Sequence, residues 1–168
     1  FEDFKLKLFL KRRNKHLYYI EDSINEFFIL SNKNKQKNFA LYKTKLDILD
    51  EKKWRVFVRH NKNELLEDFQ VFKNYIVLET RKNGLPQLLQ VNKKNQKKTY
   101  LKFKDSAYDA YLSSNQSYES KSFKFFYSSL RTPTSIYSHN FVSHSRKKLW
   151  QKKINNFKEN EYVSNRIY

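Results

Sequence analysis

Hydrophobic and polar residues alternate along most of the chain in short runs that recur at a nearly fixed interval. The runs "FFILSN" (27–32), "YIVLET" (75–80) and "KFFYSS" (124–129) are β-branched or aromatic segments closed by polar residues, at offsets of 48 and 49. Such alternation predicts half-buried β-strands. No segment keeps a 3.6-residue apolar period, and "NELLEDF" (63–69) is compatible with a single helical turn at most.

Three further runs follow the first set at similar offsets of 47 and 48: "FALYKTK" (39–45), "PQLLQVN" (86–92) and "TSIYSHN" (134–140). The segment "KLFLKR" (7–12) matches "RVFVRH" (55–60), again 48 apart. Weaker strand-like runs open and close these units: 16–20, 68–72, 99–103, 107–112 and 147–152. Each unit is therefore predicted to hold four short strands in about 48 residues.

Four antiparallel strands repeated at this interval are typical of a β-propeller blade. The blade-like repeats are approximately 16–60, 68–103 and 107–152. A sandwich or barrel also uses many short strands, but the fixed period favours the propeller. We therefore predict an all-β fold, a partial β-propeller of about three four-stranded antiparallel blades. Closed propellers have four or more blades, so we expect the rest in a longer polypeptide.

Turn-forming residues separate the two middle strands of each repeat. The turns are predicted at "NKNKQKN", "RKNGLP" and "LRTP". Gly84, the single glycine, lies in the second turn, where a positive φ is most useful. Pro133 belongs to the third turn.

The composition excludes several classes of protein. Aromatic residues make up 17% of the 168 residues, which argues against disorder. Cysteine is absent, which excludes a disulfide framework and a thiolate metal site and favours a cytoplasmic location. No apolar run approaches the ~20 residues of a membrane helix, so we expect no membrane partner. The chain has no Met and starts at Phe1, so we expect a segment of a longer protein.

The formal net charge of +18, from 35 basic and 17 acidic residues, raises the possibility of a nucleic-acid partner. The lysines are spread along the whole chain instead of forming one stripe, and the aromatic residues alternate within strands as core residues do. We therefore expect no nucleic-acid partner. A nucleic-acid-binding protein remains an alternative, and it would show strongly salt-dependent binding.

A serine–histidine pair is the first candidate for catalysis. Ser128 and Ser129 precede His139, but no G-x-S-x-G turn surrounds either serine. In an alternating strand the two serines point to opposite faces. His139 lies on the partner strand, so contact across the hairpin is possible, but no acid orients it. We expect no catalytic residue here.

Other titratable residues lack the spacing of a site. The histidines are His16, His60, His139 and His144, and they form no metal-ligand motif. A carboxylate cluster precedes a predicted strand: Glu64, Glu67 and Asp68. We expect this cluster to form a capping arrangement or a salt bridge between blades, since an acid–base pair would need a nucleophile or metal nearby. The sequence also has no phosphate-binding glycine loop, so we expect no cofactor and no metal.

Several stretches together resemble a known family. They are "FFILSN", the residues 37–41, "HNKNELLEDFQVFKNYIVLETRKNGLPQL" (60–88), "LKFKDSAYDAYL" (101–112), "YSSLRTPTSIY" (127–137) and "ENEYVSNRIY" (159–168). In this order they resemble the propeller domain of the prolyl oligopeptidase family of serine peptidases, in its oligopeptidase B branch. The resemblance covers essentially the whole chain. Three residues depart from the usual pattern: Arg131 for Thr, Ser106 for Pro and Asn165 for Glu.

The resemblance implies a two-domain serine endopeptidase that cleaves short peptides after Arg or Lys. A seven-bladed propeller would gate an α/β-hydrolase domain that carries the Ser, Asp and His. Residues 1–168 would be the last part of the propeller, and 153–168 would lead into the hydrolase domain. The expected partners are peptide substrates and that hydrolase domain, and no catalytic residue is carried over to this chain. The alternative is a non-enzymatic propeller that binds proteins as a scaffold.

Overall fold

The computed structural model describes residues 6–167 and consists of β-strands, turns and three short 3₁₀ helices. The strands are β1 (Tyr18–Asp22), β2 (Glu26–Ser31), β3 (Ala40–Lys45), β4 (Arg55–Val58), β5 (Leu65–Val71), β6 (Tyr75–Lys82), β7 (Leu85–Asn92), β8 (Lys98–Tyr100), β9 (Tyr108–Leu112), β10 (Ser122–Ser129), β11 (Ser135–Asn140) and β12 (Arg146–Gln151). The 3₁₀ helices are Lys33–Lys35, Glu51–Lys53 and Glu159–Glu161. No helix within the described range is long and apolar enough to cross a membrane.

The strands form three separate four-stranded antiparallel sheets. Their orders are β1-β2-β3-β4, β5-β6-β7-β8 and β12-β11-β10-β9, so each strand pairs with its neighbour in the chain. This meander is the arrangement of a propeller blade. The prediction of an all-β partial propeller with four-stranded antiparallel blades is therefore confirmed. The chain divides into two compact units, 6–61 with the first sheet and 62–167 with the other two.

The first unit buries an aromatic core on one face of its sheet. Ile29, Tyr42 and Trp54 are buried there, and Phe9 stacks on Trp54 with ring centres 5.9 Å apart. The strand-like segment 7–12 forms no strand, which corrects the repeat match made from its sequence. A strand needs a paired neighbour, whereas this segment contributes Phe9 and Leu10 to the core by side-chain packing alone.

The second and third sheets share one hydrophobic core in the second unit. Its buried residues come from both sheets and from the segments that join them: Phe72, Val77, Leu88, Leu101, Ala110, Phe123, Phe125, Tyr127 and Phe141. Aromatic rings fill most of this layer, and Tyr75 stacks on Phe141 at 4.5 Å. Alternate residues of β10 point into this core, as the hydrophobic pattern predicted.

The turn between β6 and β7 shows why the single glycine lies where it does. Lys82 pairs with Leu85, so the turn has only two residues. Asn83 has φ +50° and Gly84 has φ +74°. Two consecutive positive φ values define the type I′ turn that suits the twist of a tight hairpin. The expected positive φ at Gly84 is confirmed.

The segment 63–69 is not a helical turn, contrary to the option left open by its sequence. Leu65–Val71 forms β5 and pairs with β6, with a bulge between Leu66 and Asp68. Leu66 and Phe69 are buried. Pairing and burial outweigh the helix-favouring Glu and Leu residues, because local propensity is weak beside tertiary packing.

Candidate functional site

One end of the second unit gathers several chain segments that are far apart in sequence. The residues after β12, 153–167, are called here the C-terminal segment. Ser164 is buried, and Ser106 Oγ donates a hydrogen bond to its carbonyl at 2.8 Å. Ser164 Oγ in turn donates to the Ala107 carbonyl at 3.4 Å. A proline at 106 has no hydroxyl to donate, so the unusual Ser106 strengthens this attachment.

The C-terminal segment is also tied to two hairpin turns. The Arg166 guanidinium donates to the carbonyl of Asn83 in the β6–β7 turn. Thr132 Oγ1, in the β10–β11 turn, donates to Glu159 Oε1 at 3.1 Å. The segment therefore runs across the same end of both sheets in this unit.

A cavity of about 300 Å³ opens beside this segment. The residues that line it come from the linker after β8, from three strands of the third sheet, from the β10–β11 turn and from the C-terminal segment: Phe103, Lys104, Asp105, Phe125, Tyr127, Arg131, Thr132, Tyr137, Arg146 and Glu159. This volume is at the lower end of the range for small-ligand sites. We take this cavity and the adjoining C-terminal segment as the candidate site.

Asp105 organises one side of the cavity. Its carboxylate accepts hydrogen bonds from the Tyr127 hydroxyl and, at 2.6 Å, from Arg131 Nε. Burial works to raise the pKa of Asp105, but these hydrogen bonds outweigh it and hold the pKa below its usual range. Burial, together with the bond to this carboxylate, raises the pKa of Tyr127. At position 131, where threonine is usual, the arginine therefore forms an ion pair with Asp105 at 2.6 Å.

Arg146 forms the opposite side of the cavity. Its guanidinium carbon lies 5.0 Å from the ring centre of Phe103 and 5.8 Å from that of Phe125. Guanidinium groups stack favourably on aromatic faces at such distances. Burial lowers the pKa of Arg146, while the hydroxyls of Tyr127 and Tyr137 act in the opposite sense.

The structure separates the serines from His139. Ser128 pairs with Asp109, Ser129 with Tyr108, and the two serines lie on opposite faces, as predicted. His139 pairs with Phe123, at the other end of β10. Five residues along a strand are roughly 16 Å, so the contact across the hairpin that the sequence allowed does not form. Ser129 Oγ instead accepts the backbone N–H groups at the start of the turn.

His139 is a buried residue of the shared core. It is 3% exposed and packs edge-on against Phe123. Burial, with Arg146 and His144 nearby, lowers the pKa of His139 to about 4. The imidazole is therefore neutral at physiological pH. His139 therefore packs in the core and lies too far along the hairpin to contact Ser128 or Ser129.

The remaining histidines lie in different places. His16 belongs to the first unit, where Arg13 Nη2 donates to its Nδ1 at 2.7 Å and its Nε2 bonds Ser31 Oγ at 2.9 Å. Burial lowers the pKa of His16. His60 lies between β4 and β5, and His144 follows β11. Within residues 6–167, no three His, Cys, Asp or Glu side chains are arranged to hold a metal ion.

The carboxylate cluster has separate structural partners. Glu64 accepts from the Tyr100 hydroxyl at 2.8 Å, and Glu67 forms an ion pair with Arg81 at 2.7 Å. Asp68 accepts the backbone N–H of Phe69 at 2.8 Å. Glu67 therefore forms a salt bridge, but within one sheet, between β5 and β6, and not between blades as expected. No acid–base pair is built from the three residues.

Sequence reasoning missed Glu79 and Arg146, whose settings depend on distant residues. Glu79 on β6 accepts the backbone N–H of Leu112 on β9, which links the second and third sheets. Burial raises the pKa of Glu79 to about 7. Both residues are charged positions within strands, and the alternation pattern alone gives no sign of these contacts.

The family model for the prolyl oligopeptidase N-terminal β-propeller domain matches residues 2–152. The chain belongs to the prolyl oligopeptidase family. Dipeptidyl aminopeptidase BI from Pseudoxanthomonas mexicana is 26% identical over 160 residues, which is 95% of this chain and 22% of that protein. As a part of this family's propeller domain, the chain shares its fold with several solved peptidase structures.

Two oligopeptidase B structures are similar over most of the chain. Oligopeptidase B from Trypanosoma brucei, with covalently bound antipain in a closed form, gives a TM-score of 0.85 at 25% identity and covers 95% of this chain. Oligopeptidase B from Leishmania major gives 0.85 at 20% identity over 93% of it. The chain corresponds to 24% and 23% of those proteins. It therefore spans about a quarter or less of the length of these relatives.

Proposed function

We propose that the chain is part of the gating propeller of a serine-type oligopeptidase that hydrolyses short peptides after Arg or Lys. The main support is the likeness to oligopeptidase B from Trypanosoma brucei, at a TM-score of 0.85 and 25% identity over 95% of the chain. In this proposal residues 1–168 are the later blades of a seven-bladed propeller. Residues 153–168 lead into an α/β-hydrolase domain of the same polypeptide.

The proposed mechanism of the propeller is exclusion. Stacked sheets with dense aromatic cores resist deformation, because protein interiors are close-packed. A narrow funnel of such sheets admits short, extended peptides and excludes folded proteins from the catalytic serine. The chemistry itself, attack by Ser with His as base, belongs to the hydrolase domain. The chain contributes no catalytic, cofactor-binding or metal-binding residue in this proposal.

The attachment of the C-terminal segment supports this domain arrangement. Ser164 and Arg166 fix the segment to one end of the second unit. A polypeptide that continues from this segment starts from a fixed position at that end. We propose that the hydrolase domain lies there. The expected location is the cytoplasm, with peptides as partners and neither nucleic acid nor membrane.

The kind of peptidase is tested with substrates that differ at one end only. The relative from Pseudoxanthomonas mexicana is named a dipeptidyl aminopeptidase. An aminopeptidase, by definition, acts at the amino terminus of its substrate. The full gene product is assayed on an Arg-containing dipeptide reporter with a blocked or a free amino terminus. An endopeptidase of the proposed kind cleaves the blocked reporter, and a serine-directed covalent inhibitor stops it. Cleavage of the free reporter alone favours the aminopeptidase.

The division of labour is tested with the 168-residue chain by itself. We expect no hydrolysis of the Arg-containing reporter by the purified chain. Robust cleavage that persists through purification would refute the assignment of catalysis to another domain. A gene with no G-x-S-x-G hydrolase region after Tyr168 would instead support the non-enzymatic scaffold, which the present likenesses do not favour.

A further inference from the structure

The cavity beside the C-terminal segment has aromatic walls and charged residues at its edges. Phe103, Phe125, Tyr127 and Tyr137 supply the rings, and Phe103 stacks on Tyr127 with ring centres 5.0 Å apart. Small-ligand sites commonly combine such an apolar lining with a few polar groups that fix orientation. The walls therefore suit an apolar or aromatic group. The charged residues at the edges determine which charged or polar substituent on that group is bound.

Arg146 differs from the other arginine of the cavity in its partners. Arg131 is already neutralised by Asp105 at 2.6 Å. Among residues 6–167, no ion pair or side-chain hydrogen bond joins the guanidinium of Arg146 to a carboxylate. Two tyrosine side chains, Tyr127 and Tyr137, lie near this guanidinium. Arg146 as a whole residue is exposed, although burial of its guanidinium lowers its pKa.

The two carboxylates that line the cavity already accept hydrogen bonds from other residues of its lining. Asp105 accepts from Tyr127 and Arg131, and Glu159 accepts from Thr132 at 3.1 Å. With Lys104, the cavity has three cationic and two anionic side chains. The cations outnumber the anions, and of the cations it is Arg131 that forms the ion pair with Asp105.

We propose that this cavity binds a carboxylate attached to an aromatic or apolar group, with Arg146 as the residue that holds the carboxylate. The planar guanidinium matches a carboxylate in a two-point contact, and the rings beneath it fix its orientation. The walls then take the attached side chain. The C-terminal residue of a peptide and a free aromatic acid both present this chemistry. The proposal goes beyond the proposed peptidase activity and does not depend on it.

The test compares ligands that differ only in charge. Binding of N-acetyl-phenylalanine and of its amide to the full gene product is measured by calorimetry or ligand-observed NMR. We expect the acid to bind about tenfold or more tightly than the amide, the difference typical of a charge-assisted hydrogen bond. A dipeptide that ends in a free phenylalanine, compared with its amide, then shows whether peptide ends are accepted as well as free acids.

Matched variants assign the effect to one residue. Arg146→Gln is expected to lose the preference for the acid, and Arg146→Lys to keep part of it. Lys147→Gln removes the same charge from the next residue of β12, which points to the other face, and is expected to bind like the unaltered protein. Phe103→Leu keeps the cation but removes a ring beneath it, and weaker binding of both ligands is expected.

Three results would overturn the proposal. They are equal binding of acid and amide, an unchanged preference in Arg146→Gln, and an equal loss in Lys147→Gln. Thermal unfolding of each variant identifies any that fail to fold. If Arg146→Gln does not fold, the comparison of acid and amide on the unaltered protein and on Arg146→Lys still decides the matter.

Discussion

Glu79 brings a titratable group into the contact between two sheets. Its carboxyl group accepts the backbone N–H of Leu112, while Asp68, Glu67 and Asp109 lie near enough to disfavour its negative charge. Burial is the largest cause of the raised pKa of about 7, against 4.5 for an unperturbed glutamate. The contact between Glu79 and Leu112 therefore changes its charge with pH close to neutrality.

The raised pKa of Glu79 predicts a pH-dependent stability with a definite sign. The folded state holds the proton more tightly than the unfolded state, so the stabilisation is complete below pH 4.5 and is lost as pH rises through about 7. Glu79→Gln keeps an acceptor for Leu112 without titrating. We expect its unfolding midpoint in urea to exceed that of the unaltered protein at pH 8 and to vary less between pH 5 and 8.

The control for Glu79 is a glutamate in a surface ion pair. Glu161 pairs with Lys158 at 3.0 Å, and both side chains are more than half exposed. Glu161→Gln is expected to change the midpoint little at either pH, because exposed ion pairs contribute little. A Glu79→Gln variant with the same pH dependence as the unaltered protein would contradict the assignment.

Asp105 is the second residue whose charge has a structural consequence. It is the common acceptor for Tyr127 and Arg131, and its side chain is 6% exposed. Asp105→Asn weakens both interactions, so we expect a loss of about 1–3 kcal/mol in the free energy of unfolding at pH 7. Urea denaturation measures this loss, with the exposed Asp47→Asn as control.

The pKa of Asp105 adds a pH dependence opposite to that of Glu79. Because that pKa is depressed in the folded state, the contribution is present above the ordinary value of 3.8 and is lost as pH falls through the folded value. The difference in stability between unaltered protein and Asp105→Asn should therefore shrink in acid. A constant difference from pH 7 to pH 3 would exclude a charge-based role.

At the scale of single elements, the β6–β7 turn needs a positive φ at Gly84 and also contacts Arg166 of the C-terminal segment. Gly84 has φ +74°, and a β-carbon added there would lie 3.1 Å from Arg166 Nη2. Arg166 also donates to the carbonyl of Asn83. The glycine therefore serves two purposes: it allows the turn, and it leaves room for the arginine that crosses it.

Replacement of Gly84 separates these two purposes. Gly84→Ala is expected to lower the free energy of unfolding by about 1–2 kcal/mol, the cost of a left-handed conformation for an L-residue. In an Arg166→Ala background the backbone cost stays, but the close contact is gone, so a smaller loss is expected there. Asn83→Gly, at the neighbouring positive φ, is the control and should be nearly neutral. Equal losses in both backgrounds would mean that Arg166 moves aside freely.

The strands illustrate how far the sequence could predict the structure. The run 75–80 is rich in β-branched and apolar residues because β6 is buried over Ile76–Leu78 and again at Thr80, so the sequence predicted the position of this strand. The pairing of Phe123 with His139 was not readable, since register depends on the turn and on the partner strand. Leu65–Val71 contains helix-favouring residues, and only its pairing with β6 makes it a strand. Arg146 gained its role through Phe103, which local patterns cannot reveal.

At the scale of the whole molecule, the chain and its proposed substrates carry charge of the same sign. The net charge is +18 over 168 residues, and the lysines are distributed along the sequence. A protein field of this sign repels cationic peptides before they reach a gate. Salt shortens the range of this repulsion, from about 30 Å at 0.01 M to about 10 Å at 0.1 M. The effect should therefore appear in the association of substrate with the full gene product.

Two peptides test this repulsion if the proposed Arg-directed cleavage is correct. Both carry the same Arg at the cleaved bond, and the flanking residues are lysines in one and glutamates in the other. As the salt concentration rises from about 0.01 M to 0.1 M, we expect kcat/KM to increase for the lysine peptide and to decrease for the glutamate peptide. An uncharged flanking sequence is the control and should change least. Parallel responses of the two charged peptides would show that the +18 of this chain does not act on substrate approach.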